Sequence, residues 1–232
     1  MNNLELCSAP LAFLWLSIVG MVAAVPALVR GWRRRGTGAR HEKRFAVQHA
    51  PRLAVGLNLS ILMVSFEVVE MMLGTGEPAF GKEIFQQWRV YLPILTVSFL
   101  IPDAFACLIS WCGLALAASG LLFLVGGWYS LGESFSADAE ILDGHALREK
   151  GLFRFVMHPV YSGIFQYFLA GSIVALSPAS AAITFCLVVP LYVQRAKYEE
   201  KILIDHFGER YLLFAKERRW RRFIPSFLPL GF

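Results

Sequence analysis

The chain has 232 residues, of which 56% are hydrophobic and only 17% charged, with a mean hydropathy of +0.54. Soluble domains carry about 45–50% apolar and about 25% charged residues, so this composition excludes an ordinary soluble domain and indicates several membrane spans. The net charge is +5, but the basic residues cluster beside apolar segments, which favours lipid headgroups over nucleic acid as their partner.

The first 80 residues predict two spans joined by a basic loop. Leu11–Val29 is long enough to cross a bilayer, and we interpret it as a retained span. Eight arginines and lysines follow between Arg30 and Arg52, and by the positive-inside rule they place this loop in the cytoplasm and the N-terminus outside. Leu53–Leu73 is the second span, and Gly74–Glu83 is predicted to be an external turn.

The middle of the chain holds one ambiguous segment and one clear span. Ile84–Ile101 contains Pro93 and polar residues at one end, so we interpret it as an interfacial or re-entrant segment. Ala104–Tyr129 is uncharged and long enough to span with tilt, and Pro102-Asp103 marks its start.

The last third predicts a polar loop, a helical hairpin and an amphipathic end. Leu131–His158 carries both signs of charge, and the apolar runs Val160–Leu176 and Ala179–Val193 are separated by Ser177-Pro178. From Arg195 onward the apolar residues recur at helical spacing among charges, and the tail interleaves four arginines with Trp220 and Phe223, as in segments that lie on headgroups.

Taken together, these elements predict an all-α polytopic membrane protein with about five transmembrane helices and a cytoplasmic C-terminal amphipathic helix. We divide it into residues 1–103, the N-terminal spans, and residues 104–232, the core that carries the chemistry. The active site is expected on the cytoplasmic face.

The segment from Gly151 to Gly163 is the most informative in the chain. Pro159 fixes its own φ and keeps His158 out of the helical region, and it suits the first position of the helix that follows. His158 is therefore predicted at a helix N-terminus at the membrane surface, where free amide groups and partial positive charge lie. Tyr161 and Gly163 follow, and the glycine permits close approach of another group to the backbone.

A second polar segment begins at the end of the hairpin. Arg195 and Glu199 are four residues apart and can pair on one helix face, and Glu200 stands beside them. Gly208 after Phe207 is predicted to stop this helix.

These two segments together resemble the isoprenylcysteine carboxyl methyltransferase and phospholipid methyltransferase superfamily. The family pattern is G-x-Y-R-x-x-R-H-P-x-Y-x-G, a helical hairpin, and then R-x-x-x-E-E-x-x-L-x-x-x-F-G-x-x-Y. Leu131-Gly132-Glu133-Ser134-Phe135-Ser136 and Asp143-Gly144-His145-Ala146-Leu147 resemble two further family motifs upstream. The resemblance extends from about Ala104 to Pro225, while the first 100 residues carry no such match.

The resemblance implies S-adenosylmethionine as cofactor and a lipophilic small-molecule or prenylated substrate, with membrane lipids as surroundings and no nucleic acid. The cofactor-binding residues that it implies are Gly151, Phe153, Phe155, His158, Pro159, Tyr161, Gly163, Glu199 and Glu200. The catalytic candidates are His158, as a base or as a cofactor ligand, Arg154, as the partner of the cofactor carboxylate, and Arg195.

The sequence departs from the family pattern at two positions. Met157 stands where the family has an arginine, which leaves a carboxylate, an amine or a thiol open as methyl acceptor, with Arg154 or Arg195 as compensating cations. Phe153 replaces a tyrosine and lacks only a hydroxyl.

Two other functions remain open at this point. One is a lipid or sterol reductase that uses NADPH, and the other is a transporter or scaffold whose pathway residues would be Glu67, Glu70 and Asp103. No metal site is predicted: none of the four cysteines forms a C-x-x-C, and at least three are expected to be small buried residues. No ligand role is assigned to His41, His49, His145 or His206.

Overall fold

The computed structural model describes residues 8–38, 40–41, 45–72, 96–97, 100–217 and 223, and helices dominate these residues. The helices are α1 (Ala9–Arg33), α2 (Phe45–Gln48), α3 (Ala50–Met72), α4 (Asp103–Leu131), α5 (Pro159–Val174), α6 (Pro178–Ile183), α7 (Val189–Phe207) and α8 (Glu209–Glu217). Short 3₁₀ turns cover Gly132–Ser134 and Gly151–Arg154, a π-helical turn covers Thr184–Val188, and strands β1 (Arg40–His41) and β2 (Glu140–Ile141) form one antiparallel pair.

Three stretches of helix are long and apolar enough to cross a membrane, namely Ala9–Arg33, Ala104–Ser134 and Pro178–Phe207. The first two contain the predicted spans Leu11–Val29 and Ala104–Tyr129. The predicted second span lies in α3, whose described apolar stretch is the shorter Ala50–Phe66, and α5 has 16 residues. An all-α membrane protein is thus confirmed, and the count of five spans stays a prediction.

Several predicted features lie outside the described residues. These are the turn Gly74–Glu83, most of Ile84–Ile101, the arginine-rich tail at 218–222, and the side chains of Glu67, Glu70 and Asp103.

The second arm of the predicted hairpin and the amphipathic segment form one continuous helix. Ser177 caps its start by accepting a hydrogen bond from the Ser180 amide, as the Ser177-Pro178 break predicted. The helix then runs through the π-helical turn and ends at Gly208, which adopts a φ of +57°. Glu199 and Glu200 therefore lie in the middle of α7. The hairpin arm and the amphipathic segment, predicted as separate elements, are one helix because the chain has no helix-breaking signal between Pro190 and Gly208.

Helices α4 and α5 approach each other more closely than ordinary side chains permit. A Cβ atom on Gly163 would lie 2.4 Å from the Leu124 amide nitrogen and 2.6 Å from the Gly120 carbonyl oxygen. Gly127 faces the first turn of α5 in the same way, since a Cβ atom on Gly127 would lie 3.1 Å from the Val160 nitrogen. Small residues let membrane helices pack backbone against backbone, so this contact fixes where α5, and hence His158, begins.

Buried hydroxyl and amide groups join α3 to the helices that follow it. Asn58 donates to Thr184 Oγ1 at 2.7 Å and accepts from Ser180 Oγ at 2.7 Å, and Ser65 and Ser177 bond at 2.9 Å. All of these residues are buried, and their mutual hydrogen bonds satisfy groups that would otherwise be costly in hydrocarbon.

The cysteines differ from the sequence prediction. Cys112 and Cys186 are exposed and Cys107 is partly exposed, so the expectation that they are small buried residues is wrong. They lie on the outward faces of apolar helices, where lipid is the expected solvent.

The N-terminal segment is attached to the loop after α4. Strand β1 pairs with β2, the amides of Gly36 and Gly38 each donate to the Glu140 carboxylate at 2.9 Å, and Arg34 pairs with Glu133. The basic loop after α1 and the polar loop after α4 therefore lie at the same end of the helices.

Candidate active site

A cavity of about 360 Å³ lies where the loop after α4, the first turns of α5 and the middle of α7 meet. This volume falls within the range of about 300–1,000 Å³ that is usual for small-molecule sites. Part of its lining is apolar and comes from α1, α4 and α5, through Leu28, Trp32, Trp128, Leu131 and Ile164. The polar residues of the lining hold most of the chemistry that the cavity offers.

His158 lies at the start of α5, as predicted. It is the N-cap residue, with φ of −125° and ψ of 73°, and Pro159 is the first helical residue. Its Nε2 lies 3.0 Å from Glu200 Oε1, and because a carboxylate only accepts, Nε2 carries the proton. The imidazole stacks on the Tyr161 ring, with centroids 5.4 Å apart and planes 11° apart.

Tyr161, Arg195 and Glu199 form a hydrogen-bonded group beside His158. The Tyr161 hydroxyl donates to Glu199 Oε1, and Arg195 Nε lies 3.0 Å from both the hydroxyl and that carboxylate oxygen. Arg195 Nη2 also donates to the Ala137 carbonyl at 3.0 Å. Arg195 is only 6% exposed and its Nε and Nη2 are engaged, so it orients Glu199 and the loop rather than offering a free cation.

A second polar group of the cavity wall centres on Asp138. Its carboxylate accepts from Arg35 Nε at 2.9 Å and from Arg52 Nη2 at 2.5 Å, and the side chain is only 2% exposed. Burial by itself raises the pKa of Asp138, but the hydrogen bonds from Arg52 and Arg35 outweigh it and leave the pKa below its ordinary value. Arg52 also donates to the Ala137 carbonyl, so that oxygen joins the loop to both α3 and α7.

The structure brings together some of the predicted site residues and separates others. The cavity is lined by six of them, namely Phe153, His158, Pro159, Tyr161, Arg195 and Glu199. Glu200 is not part of the lining but forms a hydrogen bond with His158 Nε2. Gly151, Arg154, Phe155 and Gly163 are not part of the lining. Arg154 and Phe155 are exposed, and the group that approaches Gly163 is the backbone of α4.

The sequence reasoning assigned no site role to the charged and histidine residues Arg52, Asp138, Glu140, His145 and Arg148 of the wall. The sequence did contain an indication for His145, because this residue belongs to one of the family-like motifs. Burial, reinforced by the charges of His206 and Arg148, lowers its pKa from 6.5 to about 4, so the ring is neutral at pH 7. Within the described part of the chain, His145 Nδ1 and Arg148 Nε are buried without a hydrogen-bond partner.

Met157, which stands where the family has an arginine, lies in an apolar environment. It is 5% exposed and packs in a cluster with Tyr211 and Phe214 of α8. The wall of the cavity at this point is therefore apolar.

The fold and the site define a class of protein: an all-α membrane protein with a ligand-sized cavity of mixed polar and apolar lining at one end of its helices. Comparison with known families confirms the resemblance read from the sequence. Residues 111–205 match the sequence profile described as the isoprenylcysteine carboxyl methyltransferase (ICMT) family.

Individual relatives agree with this match. The chain is 28% identical over 123 residues to protein-S-isoprenylcysteine O-methyltransferase of Mus musculus, an alignment that covers 49% of this chain and 41% of the relative. It is 28% identical over 135 residues to the protein of that name from Saccharomyces cerevisiae, covering 54% and 56%, and 31% identical over 124 residues to that of Homo sapiens, covering 49% and 41%. The chain thus spans roughly two fifths to just over half of the length of these relatives.

Proposed function

We propose that this protein transfers a methyl group from S-adenosylmethionine to a membrane-associated, lipophilic acceptor. The observation that carries the proposal is the convergence of the two family-like motifs on one cavity: His158 and Tyr161 from one motif contact Glu200 and Glu199 from the other. The relatives are named as O-methyltransferases, and none of those compared is a reductase or a transporter, the two alternatives left open by the sequence.

The residues of the cavity fit the chemistry of this cofactor. S-adenosylmethionine carries an ammonium group, ribose hydroxyls and a sulfonium, and it supplies the methyl group that is transferred when it is bound. The Glu199 carboxylate suits the first two as a hydrogen-bond acceptor. The faces of Phe153, Tyr161 and Tyr192 suit the sulfonium through cation–π attraction of about 0.5–2 kcal/mol.

The protein's own groups then position and shield the reaction. Tyr161 and Arg195 hold Glu199 in one orientation, and Glu200 holds the imidazole of His158 through Nε2. With Nε2 carrying the proton, Nδ1 is the nitrogen of neutral His158 that can accept a proton from an acceptor that arrives protonated. An acceptor that arrives ionised needs no base, and positioning in a dry site then supplies most of the rate.

The apolar lining supports a lipophilic acceptor. Leu28 and Trp32 belong to α1, and Trp128 and Leu131 to α4, and both of these helices are candidate membrane spans. An acceptor with a hydrocarbon chain can therefore lie along these side chains while its head reaches the polar wall. Because of the names of the relatives, we propose an isoprenylcysteine carboxylate as the preferred methyl acceptor, and a lipid amine or thiol as the alternatives. We also propose that the site lies on the cytoplasmic face.

The test is a binding titration of the purified full-length protein in detergent with S-adenosylmethionine and, separately, with NADPH. We expect binding of the first only, weakened about tenfold or more by Glu199→Gln and by His158→Ala, since each change removes a polar contact in a buried site. Glu209→Gln is the matched control, because Glu209 is an exposed glutamate at the start of α8. Binding of NADPH alone, or of neither ligand, contradicts the proposal.

A further inference from the structure

One part of the cavity wall carries polar groups that the proposed chemistry has not used. His145 and Arg148 are three residues apart in the loop before α5, and both line the cavity. Buried nitrogens on both side chains, Nδ1 of His145 and Nε of Arg148, have no hydrogen-bond partner among the described residues. Burying a guanidinium N–H without an acceptor is unfavourable, so such a group is expected where a ligand supplies the acceptor.

The other arginines of the cavity wall already have anionic partners. Arg52 pairs with Asp138, and Arg195 pairs with Glu199. In the part of the chain that the structure describes, no carboxylate forms an ion pair with Arg148. An arginine is charged at any physiological pH, so Arg148 brings to this wall a positive charge that no described carboxylate pairs with.

Two acidic residues next to the ends of the Arg148 side chain, Glu149 in the chain and Glu133 beside Gly132, are engaged elsewhere. Glu133 pairs with Arg34, and Glu149 pairs with Arg210, with 2.8 Å between Glu149 Oε1 and Arg210 Nη2. The tip of Arg148 lies at the end of α4, where a Cβ atom on Gly132 would be 3.6 Å from Arg148 Nη2. Each of these carboxylates is thus paired with another arginine, and Arg148 lines the cavity.

From these observations we infer that Arg148, with His145 beside it, forms an anion subsite of the cavity that binds a carboxylate. A guanidinium presents its N–H groups as a planar fork that matches the two oxygens of a carboxylate. His145 adds a ring nitrogen to the same wall without a second positive charge. The subsite takes the role that the sequence analysis gave to Arg154, whose side chain lies outside the cavity.

This inference rests on the proposed function, which offers two carboxylates to the subsite. One is the amino-acid carboxylate of S-adenosylmethionine, and the other is the carboxylate of an isoprenylcysteine acceptor. Their chemistry is the same, and four ligands distinguish them: S-adenosylmethionine, its decarboxylated analogue, N-acetyl-S-farnesylcysteine and the carboxamide of that compound.

The experiment measures the affinity of these four ligands for the wild-type protein, Arg148→Gln and Arg148→Lys, each purified as the full chain. Lys150→Gln is the control, because Lys150 is an exposed cation of the same loop outside the cavity. Thermal unfolding of each variant shows that it is folded. We expect Arg148→Gln to weaken one carboxylate ligand at least ~10-fold and its uncharged counterpart little, with Arg148→Lys in between because it keeps the charge but not the fork.

The pattern of losses decides the outcome. A loss confined to S-adenosylmethionine assigns the subsite to the cofactor, and a loss confined to N-acetyl-S-farnesylcysteine assigns it to the acceptor. If Arg148→Gln binds all four ligands as Lys150→Gln does, while the wild-type protein binds S-adenosylmethionine, the inference is wrong and the proposed function stands. If the wild-type protein binds no S-adenosylmethionine, both fall.

Discussion

Asp138→Asn tests whether the N-terminal segment holds the cavity wall in place. The carboxylate of Asp138 receives Arg35 from the loop after α1 and Arg52 from α3, and asparagine has nearly the same shape without the charge. Because the loop around Ala137 and Asp138 forms one wall of the cavity, its release should lower both the stability of the protein and its affinity for a ligand in the cavity.

The magnitude follows from the burial of the three side chains. Removing one partner of a buried ion pair costs about 3–5 kcal/mol, and hydrogen bonds to charged groups contribute about 1.5–3 kcal/mol each. Asp138 is 2% exposed, but Arg35 and Arg52 are 35% and 28% exposed, so water can solvate them once the carboxylate is gone. We therefore expect the free energy of unfolding to fall by ~2–3 kcal/mol, or the Tm by ~5–10 °C.

The assay is thermal unfolding in detergent across a range of pH, with Glu133→Gln as control. Glu133 makes a similar pair with Arg34, but their side chains are 68% and 38% exposed, so its loss should cost about 1 kcal/mol or less. Because the pKa of Asp138 is lowered in the folded state, its stabilisation is present above the ordinary value of 3.8 and is lost as the pH falls through the folded pKa.

The difference in Tm between the wild type and Asp138→Asn should accordingly stay constant from pH 8 to about pH 5 and shrink only below about pH 4. Equal effects of Asp138→Asn and Glu133→Gln would refute the reasoning, as would a difference that disappears near neutral pH.

Two further predictions concern packing and protonation. Gly163→Ala should lower the free energy of unfolding by about 1–3 kcal/mol in thermal unfolding, because the added Cβ would meet the backbone of α4. Gly56→Ala is the control and should not lower it, because a Cβ at Gly56 has no atom within 4 Å. Equal Tm values for the two variants would contradict the packing argument. Since the pKa of His145 is about 4 in the folded protein and 6.5 ordinarily, the unfolded chain gains a proton there between these values and the folded chain does not. The free energy of unfolding of the wild type should thus decrease as the pH falls from 6.5 to 4, by no more than ~2 kcal/mol after solvent screening. The His145→Gln variant should show a smaller decrease when unfolding is measured across that pH range. Parallel pH profiles for the two proteins would show that His145 is protonated equally readily in the folded and the unfolded protein.

The local features of this protein followed from its sequence. Runs of about 20 apolar residues have few alternatives to a membrane helix, and so α1 and α4 lie where the hydropathy placed them. His158 before Pro159 marks a helix start because proline fixes its own φ and keeps the preceding residue out of the helical region. Gly208 after Phe207 marks a helix end because glycine readily adopts the positive φ that other residues avoid. The order of the polar motifs was specific enough to indicate a superfamily.

The tertiary structure alone decided which residues share the cavity. Arg35 and Asp138 are 103 residues apart, and the first of them lies in a segment without any family-like motif, so no local pattern joins them. Gly163 belongs to the motif of the site, yet it contacts α4, because the close approach of two helices requires a glycine just as a ligand does. Arg148 and Arg154 are both arginines of the loop before α5, and the sequence does not distinguish their roles. Arg148 lines the cavity and Arg154 is exposed outside it, because the position of a side chain depends on the packing of the whole fold rather than on its neighbours in the chain.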